Sequence, residues 1–426
     1  MNMEADREKI RSLNRPALQD YQLVRLNQLL QKVLPENQFY ARKLSGINRP
    51  LKRIGDLAEF PLTTKKELVV DNPHGMAANR TYTVEKYTRF HQTSGTHGEP
   101  LVVLDTPEDW KWWTDTWQYV LDAAHIKPTD RCLLAFSFGP FIGFWSAFDA
   151  LVERGCLAIP SGGLSSVARL ERMKTIDANC LFCTPSYALR LAEVARELKQ
   201  DLRQSTVRTI VVAGEPGGSL ESVRRQIENA WDALVLDHAG ATEIGPWGFG
   251  TLHGPGLYVN EAEFIAECID PETGDPVGEN QIGELILTSL GRAGHPILRY
   301  RTGDLVRCQP PKKNDKVKFM YLSDGILGRT DQMLIIRGVN VLPSAVEQII
   351  RGVADVCEFR LTASHRGAMD ELKVEVEANR SVASKLSDQL QTKLGLRITV
   401  DPVDPKSLPR FEGKAKRFVD LRTRGA

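Results

Sequence analysis

The pattern of apolar residues divides the chain into segments with different periods. In the first forty residues, Leu23, Leu26, Leu30 and Val33 recur at helical spacing and predict a helix. From about residue 90, short apolar or β-branched runs alternate with amphipathic helical patterns. The runs cover residues 101–106, 132–136, 157–160, 180–183, 209–214 and 233–238, and the helical patterns cover 109–124, 165–176, 186–199 and 219–230. This alternation predicts layered α/β structure with a largely parallel sheet.

The pattern changes twice toward the C-terminus. Residues 256–325 predict strands and turns, with a hairpin-rich stretch at 271–290. From residue 333 the order is a strand, a helix near 344–353, two strands, a helix over 381–394 and a final strand, which predicts a βαββαβ unit. A polar stretch at 327–332 precedes it and suits a hinge. We therefore expect a body at 1–330 and a small mobile cap at 331–426.

Composition narrows the functional class. The 426 residues include 55 Lys and Arg against 54 Asp and Glu, a formal charge of +1 that argues against a nucleic-acid partner. A hydrophobic fraction of 42% excludes a disordered chain. The seven irregularly spaced cysteines, the charged N-terminus and the absence of an adequate membrane span favour the reducing cytoplasm. We expect a cytoplasmic enzyme that acts on a small molecule.

Several conspicuous features predict structure rather than chemistry. Trp110, Trp113 and Trp117 share one helical face and predict a buried core. Cys180 and Cys183 fall within a predicted buried strand, which makes metal or redox chemistry a poor interpretation. The charged faces of 186–203 and 219–228 are interpreted as solvated helix surfaces.

One local motif points to an anion. Between two apolar runs lie five small or hydroxylated residues and one histidine, namely Thr93, Ser94, Gly95, Thr96, His97 and Gly98. Backbone N–H groups and hydroxyls in such a loop can wrap a phosphate. The loop lacks the Walker A pattern, and an ordinary Ser/Gly turn is the alternative interpretation.

Further segments give this loop a context. They are AGATE at 239–243, YRTGDL at 300–305 and GRTD at 328–331. In this order the segments resemble the adenylate-forming superfamily of acyl-CoA synthetases, adenylation domains and luciferases. The stretches 183–193, 270–277, 335–347 and 410–422 resemble the phenylacetate-CoA ligase family in particular. The resemblance covers about residues 10–422 and implies a large N-terminal body of layered sheets and helices with a small mobile α+β C-terminal domain.

The resemblance also implies a phosphate-binding set. The loop 93–98 would cradle ATP, Thr242 would contact the α-phosphate, and Glu243 would hold Mg²⁺, since a hard cation prefers oxygen ligands. Lys414 matches the lysine that reaches the acyl-phosphate region. The alternative for Lys414 is one more cation in a basic tail. His97 stands where Thr is usual and is kept as a site residue for a phosphate or the substrate carboxylate.

Other positions match the nucleoside side and the hinge. The adenine-side strand matches Ala213, Gly214, Glu215 and Pro216. Asp237 or His238 would meet the adenine edge, and Ala239 replaces the usual aromatic wall of the nucleotide site. Asp304 would accept both ribose hydroxyls, and Arg329 would precede the hinge at Asp331. After the cap rotates, Arg337 and Gly338 would face the acyl-adenylate.

The acid itself is expected to be aromatic. Phe136, Phe138 and Phe141 offer flat apolar surface, while Gly240 and Ala241 leave room for a ring. The stretch between Arg131 and Asp149 contains no acidic residue to pair with a substrate ammonium, which counts against an α-amino acid.

These observations predict an ATP- and Mg²⁺-dependent ligase that passes an aryl or arylacetic acid to coenzyme A. One alternative transfers the acyl group to a carrier-protein pantetheine or an amine, and another is a non-catalytic nucleotide-binding homologue. No structural zinc is predicted, because the region around His253 has no nearby cysteine. A homodimer is left open.

Overall fold

The computed structural model describes residues 3–69, 76–93, 100–136, 138–311, 315–336, 339–353, 355–366, 369–411 and 415–422. The helices are α1 (Met3–Arg11), α2 (Arg15–Val33), α3 (Gln38–Lys43), α4 (Lys65–Leu68), α5 (Pro107–Ala123), α6 (Ile142–Arg154), α7 (Ser166–Thr175), α8 (Pro185–Glu197), α9 (Glu221–Trp231), α10 (Pro343–Arg351) and α11 (Arg380–Leu394).

The strands follow the same chain order. They are β1 (Arg89–Gln92), β2 (Val102–Asp105), β3 (Arg131–Leu134), β4 (Leu157–Pro160), β5 (Cys180–Cys183), β6 (Thr209–Ala213), β7 (Leu234–Ala241), β8 (Gly245–Thr251), β9 (Gly254–Val259), β10 (Phe264–Ile269), β11 (Ile282–Ser289), β12 (Tyr300–Gln309), β13 (Tyr321–Arg329), β14 (Leu334–Ile336), β15 (Val339–Val341), β16 (Phe359–Arg366), β17 (Met369–Glu377), β18 (Thr399–Val403) and β19 (Phe418–Asp420).

Several helices begin directly after a polar N-cap residue. Asn14, Thr106, Ser165 and Thr184 each accept a hydrogen bond from a backbone N–H in the first turn of the following helix. Such side chains satisfy donors that have no partner within the helix. The four helical patterns expected between residues 109 and 230 are confirmed as α5, α7, α8 and α9.

A single large sheet organises the described part of the body. Its order is β10-β11-β12-β13-β9-β8-β7-β6-β5-β3-β4. Strands β3 to β7 pair in parallel, while β7 to β13 pair antiparallel. The predicted parallel sheet is thus confirmed for one half, and the strand-and-turn region after 256 forms the antiparallel half. The fold class is confirmed as layered α/β.

Apolar residues of the described body form three clusters, two of which contain the runs and helical patterns predicted after residue 90. One cluster joins α5 and α6 to strands of both halves and contains Trp110, Trp113 and Trp117. A second packs α8 and α9 against the other face of β5 and β6. The tryptophans, Cys180 and Cys183 are all buried, as predicted.

The C-terminal residues form their own apolar cluster around α10 and α11. The sheet beside them has the order β18-β17-β16-β19. The predicted βαββαβ order differs here, because the short β14 pairs with β15 in a separate two-stranded sheet. The fourth position is instead filled by β19, which pairs in parallel with β16. Of the described helices, none has the length and apolar character needed to cross a membrane.

Candidate active site

The hairpin of β1 and β2 brings together the two ends of the predicted phosphate loop. The Thr93 backbone N–H donates to the Leu101 carbonyl at 3.0 Å, and the Leu101 N–H donates to the Thr93 hydroxyl at 3.0 Å. The pairing therefore continues to the loop base. Ser94, Gly95, Thr96, His97 and Gly98 lie outside the described residues.

Thr242 and Glu243 form a turn directly after β7. The Tyr300 hydroxyl donates to Glu243 Oε1 at 3.0 Å. Burial, with the neighbouring Glu243 charge, holds the pKa of Tyr300 well above its ordinary value, so Tyr300 keeps its proton as a donor. Tyr300 begins the YRTGDL segment but was not predicted as a site residue, although its place in that motif was the available signal.

A buried arginine supports the same turn from behind. Arg292 Nη1 donates to the Thr242 carbonyl at 2.9 Å, and Arg292 Nε lies 2.7 Å from Asp105 Oδ1. Both side chains of this ion pair are fully buried, and the guanidinium lies 5.1 Å from the Trp113 ring centroid. We call this connection of Asp105, Arg292 and Thr242 the buried joint. It links the end of β2 to the Glu243 turn.

The charges inside the buried joint are compensated. Burial alone would raise the pKa of Asp105, but the Arg292 guanidinium outweighs burial and the pKa lies below its ordinary value. His295 is close by, and burial lowers the pKa of His295 to about 3, so its imidazole is neutral at pH 7. The sequence prediction missed Arg292. The available signal was Asp105, an acid ending an apolar strand, because a buried carboxylate requires a partner.

The segment after β6 leaves the sheet through Gly214. Gly214 has a φ of +91°, a conformation that disfavours any side chain. The Glu215 carboxylate accepts from the Ser186 N–H at 2.8 Å through Oε1 and from the Ala415 N–H at 2.9 Å through Oε2. Ala213 and Glu215 are half-buried, while Gly214 and Pro216 are exposed. The predicted adenine contacts of these four residues stay a prediction.

Asp237 and His238 are buried in the middle of β7. Burial raises the pKa of Asp237 to about 6, and its carboxylate accepts from the Ser219 hydroxyl. His238 Nδ1 lies 2.7 Å from the Gly248 carbonyl, which assigns the proton to Nδ1. Burial lowers the pKa of His238 to about 4, leaving a neutral ring 4.1 Å from the Trp117 centroid. Their predicted adenine contacts are not tested by these bonds.

Glycine is required beside Asp237 by close packing. A Cβ on Gly218 would lie 2.6 Å from Asp237 Cβ, and a Cβ on Gly217 would lie 2.4 Å from Pro185 Cβ. The absence of side chains at Gly217 and Gly218 therefore lets the loop that carries Glu215 pack closely against the start of α8 and against β7. The adjoining Ala239 is buried, and its Cβ would lie 3.1 Å from a Cβ on Gly248.

Arg329 connects the predicted ribose residue with the predicted hinge. Its Nη1 lies 3.2 Å from Asp304 Oδ1, and its Nε lies 3.0 Å from Asp331 Oδ1. Gly303 has a φ of +76°, and a Cβ there would lie 2.8 Å from Arg329 Nη2. The sequence motifs around Asp304 and Asp331 are therefore brought into contact by one guanidinium.

The predicted acid pocket residues belong to an aromatic cluster. Phe136 stacks on Phe144 with centroids 3.9 Å apart, and Phe138 meets Trp145 edge to face at 4.9 Å. Phe136 and Phe138 share their apolar cluster with Ala239 and Ala241. Phe141 and Gly240 are exposed. This arrangement provides an apolar wall next to the strand end that carries Glu243.

The cap approaches the body through its last segment. Ala415 contacts Glu215, and Lys406 Nζ lies 2.9 Å from Glu197 Oε1. The charged face of α8, predicted to be solvated, therefore meets cap residues in part. Lys414, Arg337 and Gly338 lie outside the described residues. Within the described residues no cluster of three or more His, Cys, Asp or Glu side chains is placed to hold a metal ion.

Comparisons with known proteins agree with this geometry. The family model described as "AMP-binding enzyme" matches residues 90–292, and the model described as "AMP-binding enzyme C-terminal domain" matches residues 338–422. Phenylacetate-coenzyme A ligase of Escherichia coli (strain K12) is 32% identical over 95% of both chains.

Solved structures of 2-hydroxyisobutyryl-CoA ligase also match. In the postadenylation state, in complex with 2-HIB-AMP, that ligase is 27% identical and superposes with a TM-score of 0.90 over 97% of this chain and 92% of its own. In complex with 2-HIB-AMP and CoA in the thioesterification state, the TM-score is 0.72 at 28% identity over the same shares. The arrangement of body and cap is thus closer to the postadenylation state.

Proposed function

Since this chain belongs to the phenylacetate-coenzyme A ligase family of AMP-forming enzymes, we propose that it converts an aromatic carboxylic acid into its coenzyme A thioester. In the first half-reaction the carboxylate attacks the α-phosphorus of ATP and pyrophosphate leaves. In the second, the thiol of coenzyme A attacks the acyl carbonyl and AMP leaves. The cap at 331–426 would change position between these steps, and the cytoplasm would be their location.

The observation that carries the proposal is the convergence at the carboxyl ends of β6 and β7. The Glu243 turn follows β7 and contacts Tyr300, and both lie within electrostatic reach of the Asp304–Arg329 pair. Ala415, the residue after Lys414, contacts Glu215 after β6. A triphosphate and a carboxylate must meet in one place while their negative charge is compensated. The arrangement supports that requirement.

The chain's own groups have separate tasks in this proposal. The loop 93–98 holds phosphate oxygens, the Thr242 hydroxyl orients the α-phosphate, and Asp304 fixes the ribose. Lys414 stabilises the charge that develops as the carboxylate attacks, and Arg337 and Gly338 line the path of the thiol. His97 donates to a phosphate or to the acid, and Asp331 is the hinge.

Magnesium would enter with ATP. Glu243 is half-buried, and among the described residues its Oε1 accepts a hydrogen bond from Tyr300. Its carboxylate therefore retains acceptor capacity for a cation. Mg²⁺ is commonly held by one or two carboxylates together with substrate phosphates, so a three-residue cluster is not required. When bound, the ion would neutralise phosphate charge.

The aromatic assignment rests on the walls around Phe136 and Phe138. It is tested by measuring acid-dependent pyrophosphate release with benzoates, phenylacetates, hydroxy acids and straight-chain acids, followed by mass analysis of the thioester formed with coenzyme A. We expect turnover with aromatic acids. Turnover with 2-hydroxyisobutyrate alone would contradict the aromatic part, and pyrophosphate release without thioester would favour a carrier protein or an amine as acceptor.

A further inference from the structure

Glu215 bridges the body and the cap through two backbone groups. Its Oε1 accepts from the Ser186 N–H on the body, and its Oε2 accepts from the Ala415 N–H on the cap, at 2.8 and 2.9 Å. Ala415 directly follows Lys414. We infer that Glu215 is a positioning residue for the adenylation half-reaction, which holds the lysine-bearing segment at the site. We call the connection of Ser186, Glu215 and Ala415 the clasp.

The body side of the clasp is held by contacts within the body. Ser186 is the second residue of α8, whose first N–H groups have no partner within the helix. The Thr184 hydroxyl accepts from the Tyr187 N–H at 3.3 Å, and Glu215 takes the Ser186 N–H. A carboxylate at a helix N-terminus is also favoured by the helix dipole. One oxygen of Glu215 is therefore anchored, and the other is aimed at the cap.

The cap side uses a backbone donor. A backbone N–H fixes the position of the chain itself, so the contact constrains where residue 414 begins. The neighbouring pair of Lys406 and Glu197 has side chains 77% and 49% exposed, and exposed ion pairs contribute little. The described contacts near Lys414 also include Arg410 Nε, 3.7 Å from Glu193 Oε2. Among these described contacts, the Glu215–Ala415 hydrogen bond is the one that holds the backbone directly beside Lys414.

The clasp belongs to one arrangement of the two domains. This structure superposes on the postadenylation-state relative with a TM-score of 0.90 and on the thioesterification-state relative with 0.72. A contact made in the first arrangement serves the first half-reaction. The inference rests on the proposed function for its kinetic consequence, but the hydrogen bond itself can be tested without turnover.

The test replaces Glu215 by Gln, which keeps the size but puts an NH₂ where one acceptor stood. The matched control is Glu197→Gln, which lies at the end of α8 and also contacts the cap, through Lys406. Hydrogen exchange of the whole protein, read on the peptide 406–418, is expected to be faster in Glu215→Gln and unchanged in Glu197→Gln. Equal exchange in all three proteins would overturn the inference even if the proposed function were wrong.

Kinetics then separate positioning from other roles. Pyrophosphate release should fall about 10–100-fold in kcat in Glu215→Gln, the usual effect of losing a charge-assisted hydrogen bond. KM for ATP and the rate of thioester formation from synthetic acyl-adenylate should stay unchanged. A raised KM for ATP with normal kcat would place Glu215 in the nucleotide site instead. Equal losses in both half-reactions with a lower Tm would reduce Glu215 to a structural residue.

Discussion

Asp105 and Glu215 are both carboxylates that hold parts of the site, but they work in different surroundings. Asp105 is fully buried and paired with Arg292, and the pair supports the Thr242 carbonyl. Glu215 is half-buried at the boundary of two domains and binds backbone N–H groups. In the proposed function, the buried joint suits a turn that serves both half-reactions, whereas the clasp suits a segment that would change position between them.

The physical reason lies in what it costs to break each contact. Removing one partner of a buried ion pair leaves an uncompensated charge in a medium of low dielectric, a loss of about 3–5 kcal/mol. A hydrogen bond to a charged group near water contributes about 1.5–3 kcal/mol, because water replaces the lost partner. Only the second kind of contact can be exchanged repeatedly during turnover.

The largest expected effect comes from breaking the buried joint. Arg292→Met should lower the free energy of unfolding by about 3–5 kcal/mol and slow both half-reactions, because the Glu243 turn loses its support. Urea unfolding and the two half-reaction assays measure this. The double variant with Asp105→Asn should regain stability but not activity, since Thr242 still lacks its donor. A stability loss below about 1 kcal/mol in Arg292→Met would contradict the charge argument.

The next effect belongs to the cap. Lys414→Ala should reduce acid-dependent pyrophosphate release about 10²–10³-fold, the usual value of one electrostatic contact to a transition state. Stability and thioester formation from synthetic acyl-adenylate should hardly change. Lys416→Ala, an exposed cation two residues later in the same tail, is the control and should leave both half-reactions unaffected. Equal effects of the two variants would support the alternative interpretation, in which Lys414 is one more cation of the basic tail.

The smallest expected effect is a pH dependence of stability that comes from Asp237, which packs against Gly218 in the loop after Glu215. Burial raises the pKa of Asp237 to about 6 in the folded protein, above the ordinary value near 3.9. As pH rises from about 4 to 6, the unfolded chain loses this proton first. The folded state is therefore destabilised as pH rises, by up to about 3 kcal/mol above pH 6.

The variant Asp237→Asn removes this titration. The difference in unfolding free energy between Asp237→Asn and the unchanged protein should shift in favour of the variant between pH 4.5 and 7. Urea unfolding at several pH values measures the slope, which is independent of any constant offset caused by the amide. A difference in unfolding free energy that does not change with pH would show that the Asp237 carboxyl titrates normally. It would also show that water reaches this carboxyl where it packs against Gly218.

Much of the fold was predictable because the spacing of apolar residues along the chain indicates which side of a helix or strand is buried. The runs at 157–160 and 180–183 coincide with β4 and β5, and the helix predicted over 186–199 is α8 within two residues. The cap was predicted less well. Its first apolar run was predicted as the first strand of the βαββαβ unit, yet β14 pairs with β15, and the basic tail supplies β19. An apolar run predicts a strand, but it does not predict which other strand will pair with it.

The candidate site likewise contains some residues that the sequence predicted and others that it did not. The motifs around Glu243, Asp304 and Asp331 were found from residue types and order, and the structure brings Asp304 and Asp331 together on Arg329. Arg292 gave no signal of its own, because an arginine in a Gly-rich turn has no local pattern that distinguishes a buried support from a surface cation. Glu197 on α8 is 49% exposed, in line with the predicted solvated face, but its contact with Lys406 of the cap could not be predicted from the helix alone.

The sequence by itself determined most of the helices and strands, the layered α/β class and the resemblance to the family. Tertiary structure decided which backbone groups those residues serve. Asp105 meets Arg292 across 187 positions, and Glu215 meets Ala415 across 200. Local periodicity reports whether a side chain is buried, while a hydrogen bond between distant segments depends on how whole layers pack. That packing assigns one carboxylate to a permanent support and the other to a contact that can open.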